Sequence, residues 1–284
     1  MKYSIGIDLG GTKIEGVLMN EKGKIIERCR RATEANKSKN HILSNIVEVI
    51  GIVKTKKVVG VGIGHPGFSI RKKLTSIHNI PSFKGIDIAK EIQKRTKIKT
   101  LAENDANCFA LAEHTFGAAS WCVNTVGLII GTGIGAGIII NDKLYRGSHG
   151  GAGEIGFMAI GNYMFENLCS GAHIVHRYKH FKGKLKNPNP SDIFKSKDPV
   201  AKQVTKEVIA GYAVGFANII NAYDPCSIVI GGGVSKAFSL FIPKVKKQIK
   251  IYAPNKNTEK VKILKNKLGD SAGVIGAALL PFKN

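Results

Sequence analysis

The sequence predicts an α/β protein of two domains with a ligand cleft between them, and three observations carry that expectation. Short apolar stretches of strand length alternate with segments of helical periodicity along the chain. Two segments repeat one pattern, GIDLGGTKIEGVLMNEKGK near the start and GLIIGTGIGAGIIINDKLY near the middle. Each reads as strand, Gly-Thr turn, strand and polar turn, so that Gly11-Thr12 answers Gly131-Thr132 and Asn20 answers Asn141. A helical pattern that closes at Gly117 separates the two copies. The boundary is therefore expected between 117 and 124, giving an N-terminal α/β domain, 1–117, and a larger C-terminal α/β domain, 118–284. A last helix at about 272–284 could pack back on the first domain. Clefts between domains are favoured ligand sites.

The elements follow in order. Ile5, Ile7 and Leu9 alternate and make 3–9 a strand; 14–19 and 24–30 continue it as an antiparallel meander. Ile42, Leu43, Ile46, Val47, Ile50 and Val53 fall at helical spacing within 41–53. A buried strand at 58–63 runs into Gly64-His65-Pro66-Gly67, a helix covers 86–96, a strand 100–103, and a helix starts near Asp105 and ends at Phe116. In the second half, strands are expected at 126–130, 136–140, 227–230 and 261–264, with helices near 199–222, 240–249 and 272–280. The polar, Pro-containing stretch 182–199 reads as a surface loop.

Composition narrows the class. The chain has 284 residues, enough for a substantial core, and a formal net charge of +23 from 43 basic and 20 acidic residues. Nucleic-acid binding is the obvious reading of such a charge. It is disfavoured because Lys far outnumbers Arg and is scattered along the chain; a basic surface that attracts anions such as nucleotides fits better. The five cysteines are odd in number and show no C-x-x-C spacing, so neither a disulfide framework nor a structural zinc site is expected. No apolar run approaches the roughly 20 residues of a membrane span, and no signal-peptide pattern opens the chain, so a cytoplasmic protein is expected.

Several motifs could carry chemistry. Asp8 followed by Gly10, Gly11, Thr12 and Lys13 puts a carboxylate beside a tight turn whose backbone N–H groups can approach phosphate; a plain hairpin turn is the bland reading. Gly131-Thr132-Gly133-Ile134-Gly135 repeats that turn, and the pair is more specific than either copy. Neither is a Walker loop. Glu103-Asn104-Asp105-Ala106-Asn107 sits at a strand-to-helix junction, where a carboxylate can take a proton from an attacking hydroxyl; taken alone it reads first as a helix cap. The Gly-rich loop 147–156 surrounds Glu154, suited to sugar hydroxyls or merely flexible. A buried strand entering Gly231-Gly232-Gly233 could support a nucleoside, and Asp270 or Ser271 could cap the final helix.

Taken in order, the strings IGIDLGGTKIEGVL, GIGHPG, AENDANCFALAEHTFGA, IIGTGIGAGIIINDKLYRGSHGGAGEIG, IVIGGGVS and GDSAGVIGAALL resemble the ROK family of sugar kinases, close to its glucokinases, within the actin-like ATPase (ribonuclease H-like) superfamily. The resemblance implies two domains closing on a hexose, glucose first, and on ATP. Asp8 would hold Mg²⁺ through water, while Gly10, Gly11, Thr12, Lys13, Gly131, Thr132 and Gly133 would hold phosphates. Gly232 and Gly233 would lie at the adenosine. Asp105 would be the general base, with Gly67, Asn79, Asn104, Glu154 and Glu166 on the sugar. It further implies a homodimer with small-molecule partners and no membrane or nucleic acid. One departure stands out. Many members carry a His three residues after the equivalent of Glu154, followed by zinc-binding cysteines; here that residue is Phe157, and no Cys occurs between it and Cys169. No zinc is expected, and Phe157, Met158, Phe165 and Leu168 are expected to pack as an apolar substitute. Two other readings are a sugar-responsive regulator of the same family, disfavoured because the first phosphate motif begins within ten residues of Met1, and a sugar binder without catalysis.

Overall fold

The computed structural model describes residues 1–70, 73–77 and 79–283. The chain divides into two compact units: Met1–Gly117 with Leu144–Ala152 and Leu268–Asn284, and Ala118–Lys143 with Gly153–Lys267. Asn284, the last residue of the expected terminal helix, lies outside the described residues.

The first unit opens with the antiparallel meander β1 (Tyr3–Leu9), β2 (Lys13–Asn20) and β3 (Ile25–Ala32), followed by α1 (Lys39–Val53) and β4 (Val61–His65). A small hairpin, β5 (Phe68–Ile70) and β6 (Lys73–Ser76), precedes α2 (Ile88–Thr96), β7 (Thr100–Asn104) and α3 (Asp105–Thr115). The sheet order is β3-β2-β1-β4-β7, with β4 parallel to both β1 and β7. Ile5, Ile7, Val61 and Ile63 are buried among the apolar face of α1, whose Ser38 cap accepts from the His41 N–H.

The second unit repeats this plan. It contains β8 (Thr125–Ile130), β9 (Ile134–Ile140), the hairpin β11 (Ala159–Ile160) and β12 (Tyr163–Met164), and helices α4 (Phe165–Cys169), α5 (Gly171–His180), α6 (Pro190–Lys195) and α7 (Pro199–Tyr223), while β10 (Lys143–Tyr145) starts in it and ends in the Leu144–Ala152 segment of the first unit. β13 (Ser227–Gly231), α8 (Phe238–Tyr252) and β14 (Lys262–Lys265) complete it, in the sheet order β10-β9-β8-β13-β14. The chain then returns to the first unit as α9 (Ala272–Lys283). Both sheets are thus a meander extended by two parallel strands.

Glycine lets α9 lie directly on the first sheet. A Cβ at Gly62 would fall 1.8 Å from the Ala277 carbonyl oxygen, and one at Gly276 would fall 1.8 Å from the Cys108 carbonyl oxygen. The helix therefore seats backbone to backbone against β4 and α3.

Three expectations need correction. The stretch 182–199 is not only loop: Asn189 and Asp192 form a reciprocal capping box that starts α6. Cys122 and Cys226 are joined in a disulfide, although cysteine spacing suggested no such bond. The cause is register, because Thr125 of β8 pairs with Ser227 of β13 and the residues just before these strands become neighbours. The apolar substitute for zinc is only half formed. Phe165 is fully buried edge-on against Tyr212 and Phe216, and Leu168 is buried, but Phe157 is 61% exposed. Gly156 passes close under the Ile134 carbonyl, and of its neighbours Ile155 is buried. Among the described residues no helix is long and apolar enough to cross a membrane.

Candidate active site

In the first unit, parallel pairing aligns the C-terminal ends of three strands. Asp8 pairs with Gly64, Gly64 with Glu103, and His65 with Asn104. Ligands in open α/β sheets gather at this end of the strands. The β1–β2 turn is closed by Gly10 N–H donating to the Lys13 carbonyl at 2.9 Å, and the Thr33 hydroxyl donates to the Gly10 carbonyl at 2.6 Å. Thr12 and Lys13 are exposed, and Gly11 packs so tightly on Asn79 that a Cβ there would lie 2.8 Å from the Asn79 Cβ.

Asp8 is largely buried, and its pKa is pushed up to about 6, first by loss of water and then by the Glu15 carboxylate, with Lys13 opposing. Glu15, buried opposite Asp8 across the hairpin, is held by Lys13, Arg28 and Arg30. The first turn of α9 approaches too, since a Cβ at Gly273 would lie 3.4 Å from Asp8 Oδ2. Glu15 is engaged by three basic side chains, so Asp8 is the hard oxygen donor this turn offers to a divalent cation.

Asn104 caps α3: its Oδ1 accepts from the Ala106 and Asn107 N–H groups, and its Nδ2 donates to the Gly67 carbonyl at 3.1 Å. The cap is therefore real, and it belongs to Asn104. Asp105 stands one residue inside the helix, where its Oδ1 also accepts from Ala106 N–H at 2.8 Å. Burial holds the Cys108 thiol well above its usual pKa, and the carboxylates of Glu103, Asp8 and Asp105 push it further. Arg146 opposes them.

The Gly-rich loop is ordered where it enters this unit. Ala152 N–H donates to the Arg146 carbonyl at 3.2 Å, closing a turn that opens at Gly147 with φ +70°. Arg146 Nε donates to Glu103 Oε2 at 2.6 Å.

The second unit brings another group together at the ends of β8 and β13. The turn is closed by Gly131 N–H donating to the Gly133 carbonyl, and Gly171 N–H of α5 donates to the Gly131 carbonyl at 2.7 Å. Gly232 has φ +77° and lies against the backbone of Ile130, with Gly233 after it. Thr132 is exposed. Glu166 Oε2 accepts from Ile134 N–H at 2.7 Å, fixing the start of β9. Glu154 is exposed, yet its pKa is raised by partial desolvation and then by the charge of Glu166.

Sequence reasoning missed Glu15, Arg146 and the hub role of Glu103. Glu15 was findable, because the turn centre fixes the hairpin register and places it opposite Asp8. Nothing in the sequence announces the Arg146–Glu103 pair, whose members are 43 residues apart. Among the described residues no group of three or more His, Cys, Asp or Glu side chains could hold a metal ion.

The chain is similar to known proteins over nearly its whole length. The chain is 33% identical to the N-acetyl-D-glucosamine kinase of Haemophilus influenzae over 97% of its own length and 98% of that protein. It is 28% identical to the glucokinase of Thermotoga maritima over 96% of this chain and 95% of that one. A ROK family glucokinase from Streptomyces griseus, solved with glucose and AMPPNP, superposes with a TM-score of 0.82 at 26% identity, covering 99% of this chain and 100% of that one. Those proteins have the two-domain actin-like ATPase fold, and so does this one. The ROK family profile matches residues 4–283, and the chain belongs to that family.

Proposed function

We propose that the protein is an ATP-dependent sugar kinase that transfers the γ-phosphoryl group of ATP to a hexose hydroxyl, with Asp105 as general base. The observation that carries this reading is the common end of β1, β4 and β7, which brings together Asp8, the Gly10–Lys13 turn and the Asn104-Asp105 helix start. Phosphoryl transfer asks the protein for positioning and charge stabilisation more than for covalent chemistry. Asp105 would accept the hydroxyl proton as that oxygen attacks phosphorus in line. Asn104 and Gly67, already hydrogen-bonded to each other, Asn79, Glu154 and Glu166 are assigned to the sugar.

The turn amides and side chains of Gly10, Gly11, Thr12 and Lys13, together with Gly131, Thr132 and Gly133, are assigned to the phosphates, and Gly232 and Gly233 to the nucleoside. Mg²⁺ would be held at Asp8 through water and supplies charge neutralisation on the phosphates. The sugar is glucose or an N-acetylhexosamine, as in the kinases the chain is similar to. An exposed Phe157, in place of an imidazole, changes one sugar contact and leaves the base and phosphate turns in place. A cytoplasmic homodimer completes the reading.

Coupled ADP release over glucose, mannose, fructose and N-acetylhexosamines tests it. Sugar-dependent turnover with at least one of them, dependent on ATP and Mg²⁺, is the expected result; no sugar-dependent ADP with any member of the panel overturns the reading.

A further inference from the structure

Glu103 is the last but one residue of β7 and carries no role in the reaction proposed above, yet its side chain is the best-connected carboxylate near Asp105. Oε1 accepts from the backbone N–H of Asn104 at 3.0 Å and from Asn107 Nδ2 at 2.9 Å. Oε2 accepts from Arg146 Nε at 2.6 Å, a charge-assisted bond of the short, strong kind. Glu103 is 11% exposed and Arg146 47% exposed, so the carboxylate is desolvated while the guanidinium reaches in from the surface. The bonds from Asn104 and Asn107 bracket Asp105 on both sides along the chain.

Arg146 belongs to the segment Leu144–Ala152, which packs with the first unit although the residues before and after it belong to the second. Its backbone is the base of the turn closed by Ala152, and within that turn Gly150 approaches the Ser69 carbonyl and Gly151 the Phe68 ring. Glu154 follows two residues after this segment. The Arg146–Glu103 pair therefore joins the Gly-rich segment that leads to Glu154 with the helix start that carries Asn104 and Asp105.

We propose that Arg146 and Glu103 are a positioning pair for phosphoryl transfer: Arg146 holds the Glu103 carboxylate, and Glu103 fixes Asn104 and Asn107 so that Asp105 is presented in one orientation. The inference rests on the kinase reading. Neither residue touches a reacting atom; both act through the α3 start. A misplacement of about 1 Å at a reacting group can cost about 10²-fold in rate, whereas substrate binding depends on many contacts and changes less.

The test is steady-state kinetics on the whole protein, with wild type and Asp105→Asn as references. Arg146→Ala is expected to lower kcat by about 10- to 100-fold, with the KM values for ATP and sugar changed less than about threefold. Arg146→Lys retains charge without the Nε geometry and is expected to recover only part of the loss. Glu103→Gln keeps an acceptor for Asn104 and Asn107 but loses the ion pair, and the double variant Arg146→Ala/Glu103→Gln is expected to be no slower than the worse single variant. Thermal unfolding of each variant separates a folding defect from a kinetic one; should Arg146→Ala fold poorly, Arg146→Lys carries the test. Full kcat in a folded Arg146→Ala enzyme overturns the pair, as do independent losses that multiply in the double variant. Either result leaves the kinase reading standing if wild type turns over and Asp105→Asn does not. A wild type without sugar-dependent turnover removes that reading and this inference with it.

Discussion

Replacing Gly62 by Ala adds a single methyl group where the last helix meets the first sheet. The new Cβ would sit 1.8 Å from the Ala277 carbonyl oxygen, 2.8 Å from its carbonyl carbon and 3.2 Å from the Leu280 Cβ. Cβ atoms are essentially never found within 3.0 Å of such neighbours, so α9 must retreat by at least about 1.2 Å. The obstacle is backbone, which cannot swing aside like the end of a flexible side chain. Overpacking of this kind costs about 1–3 kcal/mol, and a backbone clash belongs at the upper end, about 3 kcal/mol. At about 2–4 °C per kcal/mol for a protein of this size, Tm falls by about 6–12 °C. Gly51→Ala is the control. Gly51 is exposed within α1, and a Cβ there meets nothing within 4 Å. Ala is the better helix former by about 0.8–1 kcal/mol, so this variant gains a few degrees. Thermal unfolding followed by circular dichroism reads both. A Gly62→Ala protein that melts with the wild type would refute the seating of α9 on β4, and with it the approach of Gly273 to Asp8.

Two more outcomes follow from the same geometry. Asp8 titrates near 3.8 when unfolded and about 6 when folded. Its protonated form is the one folding favours, so its contribution is complete below about pH 4 and is lost as pH rises through about 6. In metal-free buffer, the stability of Asp8→Asn relative to wild type is therefore expected to rise by on the order of 2–3 kcal/mol between about pH 3.5 and pH 7.5 in denaturant titrations; a constant difference contradicts the assigned environment. At the other turn, a Cβ on Gly133 would fall 2.4 Å from Glu166 Oε2 and drive that carboxylate from the Ile134 N–H. Gly133→Ala is expected to lower kcat/KM for ATP by about 10²-fold, and Glu166→Gln, which keeps an acceptor oxygen, by less; equal activity of Gly133→Ala and wild type counts against a built phosphate turn.

Much of the fold was legible because each signal was local. Alternation in β1, helical spacing in α1 and the Gly-Thr turns identify their elements without tertiary information, and the repeat of one hairpin announces the shared plan of the two sheets. Asp105 was legible from its junction, although the same residues also read as a cap; the structure gives the cap to Asn104, which leaves Asp105 as a helical residue beside it. What escaped depends on non-local register. Cys122 and Cys226 meet through the pairing of β8 with β13, and Arg146 reaches Glu103 because the segment Leu144–Ala152 returns to the first unit. The exposure of Phe157 likewise depends on tertiary packing that no local sequence pattern encodes.

The central claim is that the Asp105 carboxylate takes the proton from the attacking sugar hydroxyl. Sugar-dependent ADP release by Asp105→Asn, measured beside the wild type under saturating ATP, Mg²⁺ and the best hexose of the panel, tests it most directly. The account expects kcat to drop by about 10²–10⁴-fold while the variant keeps the wild-type melting temperature and sugar KM within a small factor. Turnover close to that of the wild type would remove Asp105 from the role on which the mechanism depends.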